Sequence, residues 1–345
     1  MTNKPEFTIE EIFGDSLNLK LEKEFNLSSE EQTEIKEIPK LIKVTKDGII
    51  ILSDELMESI KKKNLSPSLV SSFNQCPADW VLEAFIMPKM KVAEPIHFAR
   101  GNAFHSTMEL FFSLPKEQRN QTTLAQAAGK TFKDKYPHLL KDKETIEWMK
   151  MAMNGYLTSG FNYSNVEVAT IEHEGKQKNG IEIFVKGKIG NTKRDFLGFV
   201  DRVDRLPNGA LQIVDYKTGK KIAPFDPSLP VDNETNDFAY WRQQLAYTMI
   251  LEQQGHYVAG AKLEFPIAQG EVVVDVKNEH LRKQVQLDIE SVDRDLDKYI
   301  EEKFFPFKGH KYCKWCGTLS PNFKAPTYGG LGLSWEQINE YLELL

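Results

Sequence analysis

The spacing of apolar residues along the chain follows a helical period first, an alternating one in the middle and a helical one again near the end. Leu65-Ser-Pro-Ser-Leu predicts the start of a helix, with a serine cap and a proline in the first turn. Apolar residues continue at helical spacing to Phe85. Two further helices are predicted, one from about Gly101 to Phe112 and one over about 143–157. The chain from residue 65 to about residue 157 is therefore predicted to be helical.

From about residue 166 the apolar residues alternate, which is typical of strands that face a core on one side. A loop rich in proline and aspartate, over about 222–237, interrupts this pattern and precedes a helix over 240–254. Strands are predicted over 166–172, 181–185, 196–206, 210–216, 261–266 and 271–276, and a charged helix over 281–303. Helices on either side of a strand meander, with no glycine-rich phosphate loop, predict an α/β or α+β enzyme core and exclude a Rossmann domain.

The composition indicates the size and general class of the protein but not the reaction that it catalyses. The chain has 345 residues, of which 41% are hydrophobic and 27% charged, enough for one large domain or two small ones. Residues 1–64 are charge-rich and poor in aromatics, and we interpret them as an N-terminal extension or small subdomain. Three cysteines argue against a secreted disulfide framework. No apolar run reaches the roughly 18 residues of a membrane span, and the N-terminus lacks a signal-peptide pattern, so we expect a cytoplasmic protein without membrane partners.

The most informative segment is a hairpin predicted around Asn208-Gly209, a dipeptide typical of tight turns between strands. With a loop of three residues, counting outwards along both strands brings Asp201 opposite Asp215. Their side chains then share one face, with Cβ atoms about 5 Å apart. Lys217 lies on that face too, because strand side chains alternate. A loop of two residues would shift the register by one and send the two aspartates to opposite faces.

Two carboxylates at this separation repel each other unless a cation lies between them, and oxygen ligands favour Mg²⁺ or Mn²⁺. A neighbouring lysine can orient a water and offset charge that develops on a phosphate. The triplet therefore fits metal-assisted hydrolysis of a phosphodiester. The alternative is a surface hairpin with solvated charges. That alternative suits Arg202, Asp204 and Arg205 better than Asp201, because Asp201 interrupts an otherwise apolar strand.

The hairpin and three other segments resemble, in the same order along the chain, the motifs of the PD-(D/E)xK nucleases, specifically the RecB-like and Cas4-like exonucleases. Gly-Phe-Val-Asp201 and Ile-Val-Asp215-Tyr-Lys217 resemble the metal-binding signature of that family. Gly101-Asn-Ala-Phe-His105 resembles the helix whose histidine joins the metal site. Gln243-Gln-Leu-Ala-Tyr247 resembles the Gln-x-x-x-Tyr helix, and residues 65–77 resemble the segment that ends in a cluster cysteine.

The resemblance covers about residues 65–318 and implies a fold and a set of roles. The fold is a restriction-endonuclease-like core with a central mixed sheet flanked by helices. Asp201 and Asp215 would bind Mg²⁺ or Mn²⁺, His105 would join the metal shell, and Lys217 would assist the attacking water. For His105 the alternative is a core histidine that bonds to the backbone.

The family also carries an acidic residue on the strand before the first aspartate. We interpret Glu172 as that residue, with Glu167 and Glu174 as competitors. Gln243 and Tyr247 are implied to support the site or the DNA strand. Because they lie one helical turn apart, they could also simply pack.

The three cysteines resemble the family's arrangement of one early and three late cysteines around a [4Fe–4S] cluster. Cys76 is the early one, and Cys313 and Cys316 form a Cys-x-x-Cys, but no fourth cysteine follows. Three alternatives stay open: a cluster with a non-cysteine ligand, a zinc site completed by a group such as His310, or reduced thiols that hold no metal. Each of them would tie the early helices to the C-terminal tail.

Net charge argues against a protein coated in basic residues, since the formal charge is -6 and the pI about 5.8. A nuclease needs phosphate contacts only near its site, however, and such contacts depend on salt. Tyr240, Trp241 and Tyr247 could stack on unpaired bases, although aromatic residues more often pack in a core. The basic residues predicted to contact phosphate are Lys186, Lys188, Lys193, Arg194, Lys217, Lys220, Lys221 and Arg242.

Taken together, these observations predict a metal-dependent DNA exonuclease that acts on single strands or duplex ends. Such enzymes serve recombination, repair, phage replication or spacer processing, and have recombination, replication or CRISPR-type protein partners. A nuclease-fold module without catalysis and a hydrolase of small phosphoesters are the alternative hypotheses. The predicted nuclease domain spans 65–345, divided into a helical part (65–160), the β-core with the Gln-x-x-x-Tyr helix (161–275), and a C-terminal helix with the cysteine tail (276–345).

Overall fold

A computed structural model describes residues 38–45, 47–86, 88, 96–161, 163–173, 175–219 and 236–308. These residues fold as helices packed against a central five-stranded sheet. None of the helices in these ranges is both long enough and apolar enough to traverse a lipid bilayer.

The helices lie before the sheet, between two of its strands and after it. Their bounds are α1 (Ile38–Leu41), α2 (Asp54–Lys61), α3 (Pro67–Gln75), α4 (Pro77–Val81), α5 (Ile96–Phe112), α6 (Gln121–Asp134), α7 (Lys143–Thr158), α8 (Asn236–Gln253) and α9 (Glu279–Glu302). A short π-helix (Leu82–Ile86) and two 3₁₀ turns (Lys116–Gln118 and Pro137–Lys141) join them.

The strands form one large and two small sheets. Their bounds are β1 (Ile42–Val44), β2 (Gly48–Ile51), β3 (Thr170–His173), β4 (Lys176–Asn179), β5 (Ile181–Gly187), β6 (Phe196–Arg205), β7 (Leu211–Tyr216), β8 (Val258–Phe265), β9 (Gly270–Val274) and β10 (Phe304–Pro306). The large sheet has the order β5-β6-β7-β8-β9, and only β7 and β8 run parallel. This mixed sheet flanked by helices confirms the predicted fold class.

The large sheet has helices on both faces. α8 connects the parallel strands β7 and β8 and packs against β5, β6 and β8, as a crossover between parallel strands requires. The other face carries a second core in which aromatic and methionine side chains of α5, α6 and α7 pack against Val214 and Tyr216 of β7. Residues of β7 therefore link the two cores.

The segment before residue 64 packs on the central core through a small sheet of its own. β2 pairs with β1 on one side and with β10 on the other, both antiparallel. Ile49 of β2 and Ile60 of α2 are fully buried, and they belong to the same hydrophobic cluster as the central sheet. The described part of the predicted extension thus shares its core with the domain that follows.

The structure confirms the predicted hairpin and its register. Leu206 N–H donates to the Ala210 carbonyl, which leaves a loop of three residues, and Gly209 has a φ of 83°. Val203 pairs with Ile213, as the predicted register requires. The left-handed backbone at Gly209 explains why glycine closes this turn.

Other boundaries differ from the sequence predictions for local reasons. The helix predicted to run from residue 65 to Phe85 breaks at Cys76, which is extended (φ -162°, ψ 111°) because it precedes Pro77. The predicted strand over 166–172 begins only at Thr170, since Val168 makes just an isolated bridge with Asp204. β4 was not predicted, because a strand of four polar residues carries little periodic signal. α6 was not predicted either, although Leu124, Ala128 and Phe132 recur in it at helical spacing.

Candidate active site

The two predicted metal-binding aspartates lie where β6 and β7 separate. The last pair of the ladder is Arg202 with Val214, and the same register continued by one position would bring Asp201 opposite Asp215. Instead of continuing the ladder, the Tyr216 N–H donates to Asp201 Oδ2 at 2.9 Å. The two carboxylates are thus brought together at the end of the hairpin, as the sequence predicts.

A third carboxylate lies across from Asp201 on the other neighbouring strand. Ile181 pairs with Arg202 and Ile183 with Val200, which places Glu182 opposite Asp201. Glu182 has a φ of 49°, a left-handed backbone that is costly for a residue with a side chain. Three strands therefore each contribute one carboxylate to a row across the sheet.

The sheet is kinked at this row. Val200 and Val203 of β6 both enter the core beside α8, although a regular strand would point residues three apart to opposite faces. Arg202, between them, lies over the Phe112 ring on the other side of the sheet, 4.1 Å from its centroid. The strand therefore changes face around Asp201, and the period of two fails there.

His105 of α5 completes a cluster of possible cation ligands. Its Nδ1 lies 3.1 Å from Asp201 Oδ2. Ligand atoms of His105, Glu182 and Asp201 all lie within 4.8 Å of one another, and all three side chains are half-buried. Gly101, one turn earlier on α5, would place a Cβ 3.6 Å from Thr218 Oγ1, so the helix passes close to the strand end.

Lys217 and Gln243 hold Asp215 from the other side. Lys217 Nζ lies 2.7 Å from Asp215 Oδ2, and Gln243 Nε2 donates to Asp215 Oδ1 at 2.9 Å. Lys217 Nζ also donates to Gln243 Oε1 at 3.3 Å and lies 4.3 Å from the centre of the Tyr240 ring. The amide of Gln243 therefore orients the carboxylate and the ammonium together.

Tyr247, one turn after Gln243 on α8, packs over the backbone of β6. A Cβ built on Gly198 would lie only 2.2 Å from the Tyr247 hydroxyl oxygen, so this position has room only for glycine. Burial, reinforced by the negative charges of Asp215 and Asp201, raises the pKa of the Tyr247 hydroxyl well above its usual value. Tyr247 stays neutral and supports the site through packing and hydrogen bonding with Gln243 and the Phe199 backbone.

The charges of the cluster are strongly coupled. Burial alone would lower the pKa of His105, but the adjacent Asp201 carboxylate outweighs it and raises that pKa to about 9. Burial and the nearby Asp201 charge raise the pKa of Glu182 to about 7. Although burial opposes it, contact with His105 lowers the pKa of Asp201. The imidazolium therefore supplies positive charge that a bound cation can replace.

Asp215 and Lys217 form a second coupled pair. Burial raises the pKa of Asp215, although the Lys217 ammonium acts in the opposite direction. The charges of Asp215 and Asp201 raise the pKa of Lys217 against the effect of its own burial. Lys217 is thus held as an ammonium beside the carboxylates.

The residues present fit a hard divalent cation. Asp215 Oδ2 is buried, and within the described part of the chain its close partner is Lys217 Nζ at 2.7 Å. Carboxylate oxygens with one imidazole are a donor set that suits Mg²⁺ or Mn²⁺. The side chains that would hold the cation are His105, Glu182 and Asp201. Asp215, which is paired with Lys217 and Gln243, lies beside this group.

Comparison with known proteins agrees with this geometry. A family model of the PD-(D/E)XK nuclease superfamily matches residues 64–320. The chain belongs to this superfamily. No curated protein matches the chain. For this nuclease, the family match covers the hairpin, the helix of His105 and the helix of Gln243.

The acidic residue that the sequence interpretation assigned to the nuclease site lies elsewhere. Glu172 is exposed on β3, pairs with Gln177, and accepts a bond from His256 through its backbone carbonyl. Glu167 is also exposed, and Glu174 lies outside the described residues. Glu182 takes the place next to Asp201. The available signal was chain order, because Glu182 lies on the strand directly before β6 whereas Glu172 lies two strands earlier.

Two charged residues that were interpreted as solvated are buried under the nuclease site. Arg202 is fully buried and forms ion pairs with Asp204 (2.8 Å) and Glu264 (3.2 Å). Arg202 Nη1 also donates to the hydroxyls of Tyr156 and Tyr216. Because Tyr216 follows Asp215 directly, this network supports the end of β7. Arg205 is half-buried, and its guanidinium donates to the backbone carbonyls of Thr170 and Gly209.

Most of the basic residues predicted to contact DNA phosphates are engaged with acids of the nuclease itself. Lys186 and Lys188 pair with Asp195, and Lys193 and Arg194 pair with acids of α9. Arg242 is fully buried against Asp288. Lys220 and Lys221 lie outside the described residues. Of the predicted stacking aromatics, Trp241 and Tyr247 are buried, and Tyr240 is half-buried above Lys217.

Of the three cysteines, Cys76 is the one that lies within the described residues. Its thiol is buried at the end of α3 and lies 3.9 Å from the Pro306 carbonyl of β10. Burial raises the pKa of this thiol to about 11. Cys313 and Cys316 lie outside the described residues, so the cluster prediction rests on the sequence.

Proposed function

We propose that the protein is a Mg²⁺- or Mn²⁺-dependent DNA exonuclease similar to the RecB-like and Cas4-like enzymes. The observation that carries this proposal is the convergence of Asp201, Asp215 and Lys217 at the end of one hairpin, with His105 in contact with Asp201. A surface hairpin with solvated charges has no reason to bury these groups together. The buried cluster therefore supports catalysis over a nuclease fold that only binds.

Each side chain has a role that follows from its contacts. With Asp215 beside them, His105, Glu182 and Asp201 would hold the cation, which supplies Lewis-acid activation of the phosphate and of a water. Lys217 orients that water and stabilises negative charge on the phosphate, because its ammonium is fixed at the same carboxylates. Gln243 positions Asp215 and Lys217, and Tyr247, one turn further along α8, supports Gln243 by a hydrogen bond.

The choice of DNA ends as the substrate rests on the family resemblance and on the motifs that carry it. We place the enzyme in recombination, repair, phage replication or spacer processing, in the cytoplasm and with protein partners of those processes. The test is a digestion assay with end-labelled linear single strands, end-labelled duplexes and closed circular DNA, in the presence of Mn²⁺ or Mg²⁺. An exonuclease degrades the linear substrates and spares the circular ones.

The variants Asp215→Asn and Lys217→Ala remove the proposed machinery, and Glu172→Gln is the matched control at an exposed acid. We expect the first two to abolish degradation and the control to retain it. Absence of cleavage by the parent protein, or unchanged cleavage by Asp215→Asn and Lys217→Ala, would overturn the proposed function.

We also propose that Cys76, Cys313 and Cys316 hold an iron–sulfur cluster together with a non-cysteine ligand. The buried position of Cys76 beside β10, which leads towards the other two cysteines, supports a structural tie between α3 and the tail. Anaerobic purification followed by iron, sulfide and zinc analysis tests this proposal. Zinc with no sulfide would favour the zinc site, and neither metal would favour reduced thiols.

A further inference from the structure

The side of β6 that faces away from α8 is a surface that leads along the strand to the carboxylate row. Gly198 and Val200 face α8 and the core, so Leu197 and Phe199 point to the opposite side of the sheet. One further step of this alternation reaches Asp201 at the kink. Phe199 therefore lies about 7 Å along the strand from the candidate cation ligand.

Phe199 is more exposed to solvent than is usual for such a large apolar side chain. Its exposed fraction is 53%, and it pairs across the ladder with Phe184 of β5. The two rings lie 5.3 Å apart at an interplanar angle of 54°. Two positions further along the same strands, Glu182 lies across from Asp201. The paired rings of Phe184 and Phe199 therefore lie directly before the carboxylate row.

A cavity with a mixed apolar and polar lining lies at the other end of this surface. Its volume is about 470 Å³, and Leu197 forms part of its wall. Lys62, Lys63, Ser68 and Ser72 line it with cationic and hydroxyl groups, against a single acid, Glu83. Leu65 joins this region to β6, because its carbonyl accepts from the Leu197 N–H at 2.9 Å.

The lysines of this cavity differ from those that the sequence singled out. Within the described residues, neither Lys62 nor Lys63 forms an ion pair, and both are exposed. Lys63 Nζ lies 5.3 Å from the centre of the Phe85 ring. These two side chains therefore keep their charge available for an external anion such as a phosphodiester.

We propose that this surface, from Lys62 and Lys63 through Phe199 to Asp201, is the track of a single nucleic-acid strand. The inference rests on the proposed nuclease function and defines its substrate as an unpaired strand. A base can stack on Phe199 only when its face is free, which excludes bases inside a duplex. The span from Leu197 to Asp201 is about 13 Å, which corresponds to about four nucleotides of a stacked strand and fewer of an extended one.

The test compares binding of a labelled 12-nucleotide single strand and of the matching 12-base-pair blunt duplex, by fluorescence anisotropy in EDTA at fixed salt. Phe199→Ala should weaken single-strand binding about 5- to 100-fold and leave duplex binding unchanged. Phe199→Trp should retain single-strand binding, whereas Phe199→Leu should resemble Phe199→Ala. Tyr257→Ala is the matched control, because Tyr257 is an aromatic residue with an exposed fraction of 64% outside this surface.

A second arm tests the lysines by the salt dependence of single-strand binding. The double variant Lys62→Ala with Lys63→Ala should reduce the slope of log affinity against log salt by roughly 1.4, the value for two phosphate contacts on a single strand. Lys298→Ala, on the exposed side of α9, is the control and should keep the parent slope.

The outcomes separate this inference from the proposed function. If the parent protein degrades DNA but Phe199→Ala and the lysine variant bind single strands as the parent does, the track is wrong and the nuclease stands. Cleavage of duplexes without any single-strand binding also overturns the track. If the parent neither binds nor cleaves DNA with either metal, both proposals fail.

Discussion

The phenol ring of Tyr247 lies directly on Gly198, in the space that a Cβ on residue 198 would need. A Cβ on residue 198 would lie 2.2 Å from the Tyr247 hydroxyl oxygen and 2.7 Å from a ring carbon. This contact fixes the distance between α8 and β6. Because Gln243 lies one turn away on α8, the same contact sets where its amide reaches Asp215.

Gly198→Ala should therefore damage the site without touching a charged group. We expect a loss of about 1–3 kcal/mol in the free energy of unfolding, the usual cost of forcing a methyl group into a packed region, together with reduced cleavage. Gly219→Ala is the control, since a Cβ there meets nothing within 4 Å. Urea unfolding and a cleavage assay measure both effects. Equal behaviour of the two variants would contradict the packing argument.

Glu182→Gln tests the carboxylate that the structure places beside Asp201. Residues that only orient a metal ligand cost about 10- to 100-fold in metal affinity when mutated, and a direct ligand should cost at least as much. We expect that loss in a Mn²⁺ titration by calorimetry, with the fold unchanged by circular dichroism. Glu172→Gln should titrate like the parent protein. The opposite ranking of the two variants would restore Glu172 to the site.

Arg202→Met should be strongly destabilising. The substitution leaves the carboxylates of Asp204 and Glu264 buried without their shared partner. Breaking a buried ion pair in this way costs about 3–5 kcal/mol. Arg205→Ala, at a half-buried position, should change the free energy of unfolding by less than about 1 kcal/mol. A urea melt of the two variants compares them, and a loss for Arg202→Met no larger than the control contradicts the importance of the network.

Asp297→Asn should destabilise the protein at neutral pH but not in acid. Although partial burial opposes it, contacts with Lys193 (2.5 Å) and Arg194 (2.7 Å) lower the pKa of Asp297. A lowered folded-state pKa stabilises the fold above the unfolded pKa of about 3.9, and this contribution disappears as the pH falls through the folded value. We expect a deficit of up to about 1 kcal/mol at pH 7 that fades near pH 3. Urea unfolding at both pH values measures it, and a deficit independent of pH would contradict it.

The hairpin could be predicted because its determinants are local. Asn208 and Gly209 fix the turn, the turn fixes the register, and the register brings Asp201 to Asp215. No long-range information enters this sequence of steps. The position of Gln243 followed from the resemblance of a short motif, and the structure places its amide on Asp215.

Glu182 could not be assigned in this way, because its place depends on the register of β5 against β6. These strands are joined by residues 188–195, a connection whose length does not fix the pairing. The left-handed backbone of Glu182 and the kink at Asp201 also break the period of two on which strand predictions rest.

The ion-pair partners of the basic residues could not be predicted from the sequence either. Lys193 and Arg194 follow the same charge pattern as a phosphate-binding patch, but their partners lie on α9, about a hundred positions away. Charge alone therefore identified candidates without showing which were already neutralised. Lys62 and Lys63, which form no ion pair within the described residues, lie in the charged segment before the first motif.

The small sheet of β1, β2 and β10 has a consequence for the order of assembly. β2 lies near residue 50 and its partner β10 near residue 305, so their pairing closes one of the longest loops in the chain. Contacts of such sequence separation form slowly and late, because the chain must first lose the entropy of closing the loop. On the ribosome, Ile49 can be covered by Phe305 only after the carboxylate strands and α8 have been synthesised. The pairing of β2 with β10 is therefore one of the last steps in the assembly of the fold.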